Sequence, residues 1–340
     1  MDAPEHILQP AQQQDERSVD DLLRPRTFDD FIGQARLKEN LRIYIEAARR
    51  RGEPLDHALF SGPPGLGKTT LAHIVAGEMG VQLRGTTGPA LERAADLAGL
   101  LTNLGEGDVL FIDEIHRLST LVEEYLYSAM ERFVIDIVID QGPSARSVRI
   151  PLKPFTLIGA TTREGLLTSP FRSRFGVHER IDYYPADELF LIVMKSAGKL
   201  NVPIEEAGGR LMAERARGTP RIGNRFVRRI RDVAQVLGEG VITEAVAREG
   251  LKRLGVDENG LDELDRRVLG ILMDHAGSPV GIKTIAVAVG EEEDTIEEVY
   301  EPFLIRAGYV QKTPRGRVAC DRAFQHYRPE ARRGQAGLFA

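Results

Sequence analysis

The 340-residue sequence predicts an α/β fold: a parallel sheet with helices on both faces, joined to a small helical domain and a winged helix. Three observations predict it. Over residues 19–184 short apolar runs alternate with helical periodicities, the signature of a parallel sheet. From Pro185 onward only helical patterns follow. After residue 256 three helical patterns close on two short β-type runs around Pro314-Arg315-Gly316, a basic turn of the kind that makes a wing.

Composition bounds the reading. A chain this long exceeds one comfortable core, so several domains are expected: 19–184, 185–255 and 256–328, between disordered tails at 1–18 and 329–340. A net charge of −6 and a pI near 5.8 leave no global nucleic-acid signature, so any such surface must be local. The lone cysteine, Cys320, excludes a disulfide framework and a cysteine-based zinc site. Seven histidines show no ligand spacing, and His73 and His116 read as structural. No apolar run reaches the ~18 residues of a membrane span, and no signal peptide opens the chain. A soluble, cytoplasmic protein is expected.

The elements follow in order. A helix over about 34–50 places Leu37, Leu41, Tyr44, Ile45 and Ala48 on one face, and Gly52 closes it. Ala58, Leu59 and Phe60 form the first strand, and 81–84 a second. A helix over 91–104 precedes a buried strand, 108–113, that ends in acids. The next helix, 119–132, is capped by Ser119 and carries Leu121, Val122, Tyr125, Leu126 and Met130. Residues 134–140 alternate, turn at Gln141-Gly142-Pro143 and return through 147–151. That is a β-hairpin, about 134–150, inserted before the buried strand 155–160. Helices are then expected at 186–200, 203–217, 222–237 and 243–252, and near 262–275, 282–289 and 293–306.

The chemistry sits at strand ends. Gly62 to Thr69 reads G-x-x-x-x-G-K-T between a strand and a helix, a phosphate-binding loop. Gly65, Leu66 and Gly67 turn backbone N–H groups toward a polyphosphate, which the helix N-terminus also favours. Lys68 supplies charge for the β- and γ-phosphates, Thr69 a hydroxyl for Mg²⁺, and Thr70 a hydroxyl near the α-phosphate. Asp113 is placed to hold the same Mg²⁺, and Glu114 to polarise an attacking water. Thr161 and Thr162 end the next strand at γ-phosphate height. Arg172 and Arg174, in Pro170-Phe-Arg-Ser-Arg-Phe-Gly176, suit presentation to a neighbouring subunit's ATP. Arg221 is a second candidate for the γ-phosphate. Residues 210–231 hold eight arginines against one acid, Glu214, and most of these read as subunit contacts. Residues 256–302 carry three basic and thirteen acidic side chains, whereas 303–340 carry eight basic and two acidic. Lys312, Arg315 and Arg317 therefore form a local cation cluster suited to DNA phosphates.

The strings GPPGLGKTTLA, DVLFIDEIHRL, TLIGATTR, SPFRSRFG and RARGTPRIGNR together resemble the AAA+ ATPases, and within them the RuvB family of Holliday-junction branch-migration motors. The similarity spans about 19–327. The loop and the Asp113-Glu-Ile-His116 string occur in many ATPases; the hairpin insert and the QKTPRGRVA wing are more specific. The resemblance implies an ATPase domain, a helical lid and a winged-helix head, assembled as a homohexameric ring around duplex DNA. It implies that Leu23, Arg24 and Tyr184 flank the adenine. Gly65, Lys68, Thr69 and Thr70 would hold phosphates, and Glu131, Arg132, Phe133 and Arg221 would complete the pocket. Arg174 would be the trans-acting finger, and Lys312 and Arg317 would touch DNA. The hairpin would dock on the junction-binding partner RuvA, with the resolvase RuvC a further associate. Family members often carry Arg where this chain has Lys312, which keeps the charge but not the fork. The acidic run around Glu293 argues against DNA contact there.

Other readings share the ATP site. A DExH-type translocase needs a second RecA-like domain, which the helical downstream sequence does not offer. A protein unfoldase needs an aromatic pore loop, and 84–91 has no aromatic residue. An ATP-switched DNA-binding loader or regulator that does not translocate is the remaining alternative.

Overall fold

The computed structural model describes residues 21–138, 147–275 and 277–328. The chain divides into two compact units, one ending at Tyr184 and one beginning at Pro185.

The first unit is built on five parallel strands: β1 Ala58–Ser61, β2 Leu83–Thr87, β3 Val109–Asp113, β6 Thr156–Thr161 and β7 Val177–Arg180, in the order β2-β3-β6-β1-β7. β1 lies between β6 and β7, with Ser61 level with both Thr161 and Arg180. β1 and β6 are buried along their whole length, which is why they read as uninterrupted apolar runs. β2 is an edge strand, half exposed, with no such run; it pairs over 83–87 rather than the expected 81–84.

The helix Ala35–Arg51 buries Leu37, Leu41, Ile45 and Ala48 and ends on left-handed Gly52. Tyr44, expected on that face, falls at its margin and is 40% exposed. In the helix Thr120–Arg132, Ser119 accepts from the Val122 N–H as expected, but Leu121 points outward at 54% exposure. The helix expected over 91–104 is shorter, Ala94–Thr102, behind a 3-10 turn at Gly88–Ala90.

The hairpin pairs β4 Val134–Val138 antiparallel with β5 Ser147–Pro151, register Val134 to Pro151. Its expected turn lies outside the described residues, as do both tails. Ile135 is fully buried in the sheet's core with Ile150 opposite it, while Val148, on the same face one step nearer the turn, is 44% exposed, so the hairpin is rooted at its base. His57 joins this root to the sheet. Its Nδ1 accepts from the Leu157 N–H at 2.9 Å, so the ring proton sits on Nε2, 3.2 Å from the Met130 carbonyl. Burial keeps the imidazole below its ordinary pKa, as this neutral pattern requires.

In the second unit four helices, Ala186–Lys199, Glu206–Arg215, Pro220–Leu237 and Glu244–Arg253, precede the helices Glu263–Asp274 and Ile282–Val289. The expected helix over 293–306 is interrupted: a π turn, Ile296–Tyr300, precedes Glu301–Arg306. Pro302 has no N–H for the carbonyl four residues back, and the backbone widens just before it. The wing pairs β8 Val310–Thr313 with β9 Gly316–Ala319, and Val280 pairs with Arg317. A short helix, Asp321–Tyr327, which the sequence pattern did not signal, covers Tyr309 at its edge. Among the described residues no helix is long and apolar enough to cross a membrane.

Candidate functional site

The phosphate loop leaves the carboxyl end of β1, where parallel sheets bind ligands. Gly62 turns there with φ 139°, and its N–H donates to the Thr161 carbonyl at 3.1 Å. A Cβ at this position would stand 2.3 Å from the Ile181 carbonyl oxygen, so the turn requires glycine. Gly67, at φ 107°, opens the helix Lys68–Met79 without a side-chain cap. The first-turn N–H groups of that helix are thus presented to an anion rather than to a capping oxygen. Lys68 is buried, and its ammonium donates to the carbonyls of Gly62 at 2.6 Å and Pro63 at 2.8 Å. Gly65 and Leu66 lie between them, and Tyr184 donates its hydroxyl to the Leu66 carbonyl at 3.2 Å.

The carboxyl ends of the neighbouring strands complete the site. Thr69 Oγ1 donates to Asp113 Oδ2 at 3.3 Å, and Asp113 Oδ1 accepts from the Glu114 N–H at 2.9 Å. Glu114 adopts left-handed backbone, φ 49°, and its carboxylate pairs with Arg117 at 2.9 Å on the surface. Thr161 is buried. Its Oγ1 accepts from the Arg163 N–H at 3.0 Å and is hydrogen-bonded to His116 Nδ1, also at 3.0 Å. Thr162, the next residue, is half-buried.

His116, read from the sequence as structural, therefore belongs to this cluster. The only signal was its place three residues after Asp113; the 3-10 turn Ile115–Arg117 brings it back onto β6. Phe31 is a second residue the sequence did not mark. Its ring would lie 3.1 Å from a Cβ at Gly67, sealing the loop's far side.

Leu23 is buried and Arg24 pairs with Asp21 at 3.4 Å. Burial first, and the Arg24 charge next, hold His73 below its ordinary pKa, which sets Arg24 beside the helix Lys68–Met79. Arg24 thus lies beside the helix and Tyr184 beside the loop, with Leu23 buried next to Arg24 in the chain. Thr70 occupies the first turn of that helix.

Five other predicted residues of the first unit, Glu131, Arg132, Phe133, Arg172 and Arg174, are not brought to the loop. Arg174 stacks over the Tyr127 ring at 4.5 Å, hydrogen-bonds the Tyr127 hydroxyl, and lies 3.7 Å from Glu131. Phe133 packs edge-on against Phe155, 5.8 Å between centroids, and near His57. Arg132 is exposed beside it. His57, Phe155 and Arg174 all precede β1, β6 and β7, so this group occupies the amino end of the sheet. It is a strand's length, about 13 Å, from the carboxyl end that bears Lys68. Arg172 is half-buried in the same segment. Arg221 is exposed in the first turn of Pro220–Leu237, in the second unit.

The wing sorts its cations unequally. Arg315 is exposed at the turn, and Lys312 is 54% exposed beside Glu297 and Glu301 at 3.4 and 3.5 Å. Arg317, expected to face DNA, is instead buried. Its guanidinium is committed to Glu297 in the π turn and to Glu301 at the start of the helix that follows.

Comparison with known proteins agrees with this layout. The family model described as the Holliday junction DNA helicase RuvB P-loop domain matches residues 23–181. The RuvB AAA lid domain matches 184–257, and the RuvB C-terminal winged helix domain 258–328. The chain is 59% identical over 309 residues to the Holliday junction branch migration complex subunit RuvB of Myxococcus xanthus, covering 91% of this chain and 90% of that protein. It is 56% identical over 313 residues to the corresponding subunit of Salinibacter ruber, covering 92% and 91%. The solved Thermotoga maritima RuvB Holliday junction branch migration motor superposes with a TM-score of 0.82 at 47% identity, over 90% of this chain and 98% of that one. The phosphate loop, the acids of β3, the hairpin insert and the wing, together with these matches, place the chain in the RuvB family of AAA+ ATPases.

Proposed function

We propose that this chain is the ATP-hydrolysing motor subunit of a homohexameric ring that drives branch migration of Holliday junctions in homologous recombination and DNA repair. The observation that carries the ring is the division of the cationic site. Arg174 and Glu131 stand a strand's length from their own chain's phosphate loop, so the γ-phosphate that Arg174 reaches is a neighbour's. A heterologous, head-to-tail interface closing into a ring can bring this group to the next subunit's loop.

Within each shared site Lys68 and the loop N–H groups hold the phosphates, Leu23, Arg24 and Tyr184 the adenine. Glu114 orients the attacking water. Thr161, steadied by His116, and Thr162 stand where phosphate loss is sensed. Arg174, with Glu131, Arg132 and Phe133, enters from the adjacent subunit, and Arg221 is the lid's contribution. An arginine finger of this kind is worth roughly 10³–10⁵ in rate. One carboxylate and one hydroxyl, Asp113 and Thr69, suit Mg²⁺, which takes few protein ligands and completes its shell with phosphate oxygens and water. Bound there, the ion would neutralise charge developing on the phosphates.

Lys312 and Arg315 hold duplex DNA at the wing. The hairpin, with Val148 exposed, docks on the junction-binding partner RuvA, since an outward apolar residue on a rooted ribbon suits a protein contact. RuvC is a further associate of the assembly. The test is ATP-dependent dissociation of a synthetic four-way junction, with and without the partner, beside a linear duplex. Partner-stimulated dissociation that disappears in Lys68→Ala supports the motor. Hydrolysis and DNA binding with no dissociation under any condition overturns it in favour of an ATP-switched loader.

A further inference from the structure

Arg217 differs from the other arginines of 210–231: it is buried, 8% exposed, in left-handed backbone at φ 58°. It lies in the turn between the helices Glu206–Arg215 and Pro220–Leu237, four residues before Arg221. Its guanidinium leaves the lid helices for the head. Nε donates to the Gly260 carbonyl at 2.8 Å; Nη2 pairs with Asp265 and lies 3.1 Å from Asp262 Oδ2. The Phe303 ring lies under it at 4.8 Å, and its own carbonyl accepts from Arg306.

The two carboxylates are already in use. Asp262 is the N-cap and Asp265 the third residue of Glu263–Asp274, and each side chain accepts from the other's backbone N–H, at 2.8 and 3.1 Å. The groups that start the first head helix are therefore the groups that hold the lid turn. Asp265 is fully buried and its Oδ1 has no hydrogen-bond partner, so Arg217 is its principal compensation. An ion pair of this kind adds little net stability over an apolar replacement, yet fixes one geometry, because either partner alone would be a stranded charge.

We propose that Arg217 is a positioning residue that locks the lid turn to the first head helix, so that nucleotide-driven movement of the lid is delivered to the DNA-holding wing. Without the clamp the connection through 254–261 would flex and the stroke would be lost. This rests on the motor reading above.

The experiment uses the full chain with its junction-binding partner and compares wild type, Arg217→Met, Arg217→Lys and Asp262→Asn. Two readouts are taken: ATP consumed per four-way junction dissociated, and the distance distribution between spin labels on Pro220–Leu237 and Ile282–Val289 in ADP and in a non-hydrolysable analogue. Arg217→Met is expected to hydrolyse ATP within about twofold of wild type while spending roughly tenfold more per junction, with Arg217→Lys between them. The label distribution broadens in Arg217→Met and stays narrow in wild type. A plain loss of structure would instead lower hydrolysis and dissociation together, and that outcome, or an unchanged ratio with a narrow distribution, overturns the proposal. Should Arg217→Met not fold, Asp262→Asn, which leaves the Asp265 pair, is judged by the same two readouts. Wild-type hydrolysis without junction dissociation would sink the motor reading, and the label distances would then decide the clamp alone.

Discussion

Arg317 and Glu301 form a buried ion pair: Nε donates to Oε1 at 2.6 Å, and the side chains are 9% and 7% exposed. The second guanidinium nitrogen reaches Glu301 Oε2 at 3.2 Å and also Glu297. Burial works to raise the Glu297 pKa, but Arg317 and Lys312 outweigh it and hold the carboxyl below its ordinary value. The pair pins the wing strand to the head's third helical segment.

Arg317→Ala should therefore leave buried Glu301 with only the half-exposed Lys312, 3.5 Å away, and cost the head as much as about 3–5 kcal/mol. Arg315→Ala should leave stability unchanged, yet weaken duplex binding and reduce its salt slope by about 1. Thermal melts beside salt-dependent DNA titrations separate the two. A stable Arg317→Ala that merely loses DNA affinity would show that Arg317 faces the phosphates instead.

Legibility from sequence followed locality. The phosphate loop, Asp113 and Glu114, the hairpin and the wing each lie within a few consecutive residues whose spacing carries the chemistry. What escaped was set by pairing across the chain. Nothing near Arg317 announces that Glu301, sixteen residues earlier, will bury it. His116 meets Thr161 only because β3 and β6 are neighbours, which is a property of strand order. Edge strand β2 was misplaced by two residues because an edge needs no apolar run. The separation of Arg174 from Lys68 required knowing which end of the sheet each occupies.

The Thr161–His116 contact predicts a kinetic phenotype. His116→Ala removes one hydrogen-bond partner from the hydroxyl we propose senses the γ-phosphate, without touching the loop. Turnover should fall roughly three- to tenfold, the worth of one hydrogen bond, with nucleotide affinity unchanged. Steady-state hydrolysis beside nucleotide titration checks this; equal losses in both would mean His116 only supports the fold.

Gly62 is a position where one methyl should suffice. With a Cβ 2.3 Å from the Ile181 carbonyl and φ at 139°, Gly62→Ala forces the loop to shift. Nucleotide binding should disappear and stability drop by about 1–3 kcal/mol. Unaltered ATP binding by calorimetry would show that the turn has more freedom than this geometry allows.

Asp265 gives a pH signature. Burial pushes its carboxyl up to about 7 against the pull of Arg217, while Asp262 adds to the rise. A folded-state pKa above the unfolded one means the folded state holds the proton more tightly. Its contribution is therefore most favourable below the unfolded value of 3.8 and is lost as pH rises toward about 7. Wild type should lose stability relative to Asp265→Asn across that window, on the order of 1 kcal/mol per pH unit. Parallel pH–stability curves for the two proteins would show that Asp265 is ionised throughout.

The shared site is tested most directly by mixing two inactive variants. Lys68→Ala lacks the lysine of the phosphate loop, and Arg174→Ala lacks the proposed finger; each alone should hydrolyse almost no ATP. In mixed rings, an Arg174→Ala subunit followed by a Lys68→Ala subunit restores one intact interface, with Lys68 from the first and Arg174 from the second. Hydrolysis should then reappear in proportion to such interfaces. Rings shown to contain both variants yet hydrolysing no more than either alone would contradict a site built by two neighbouring chains.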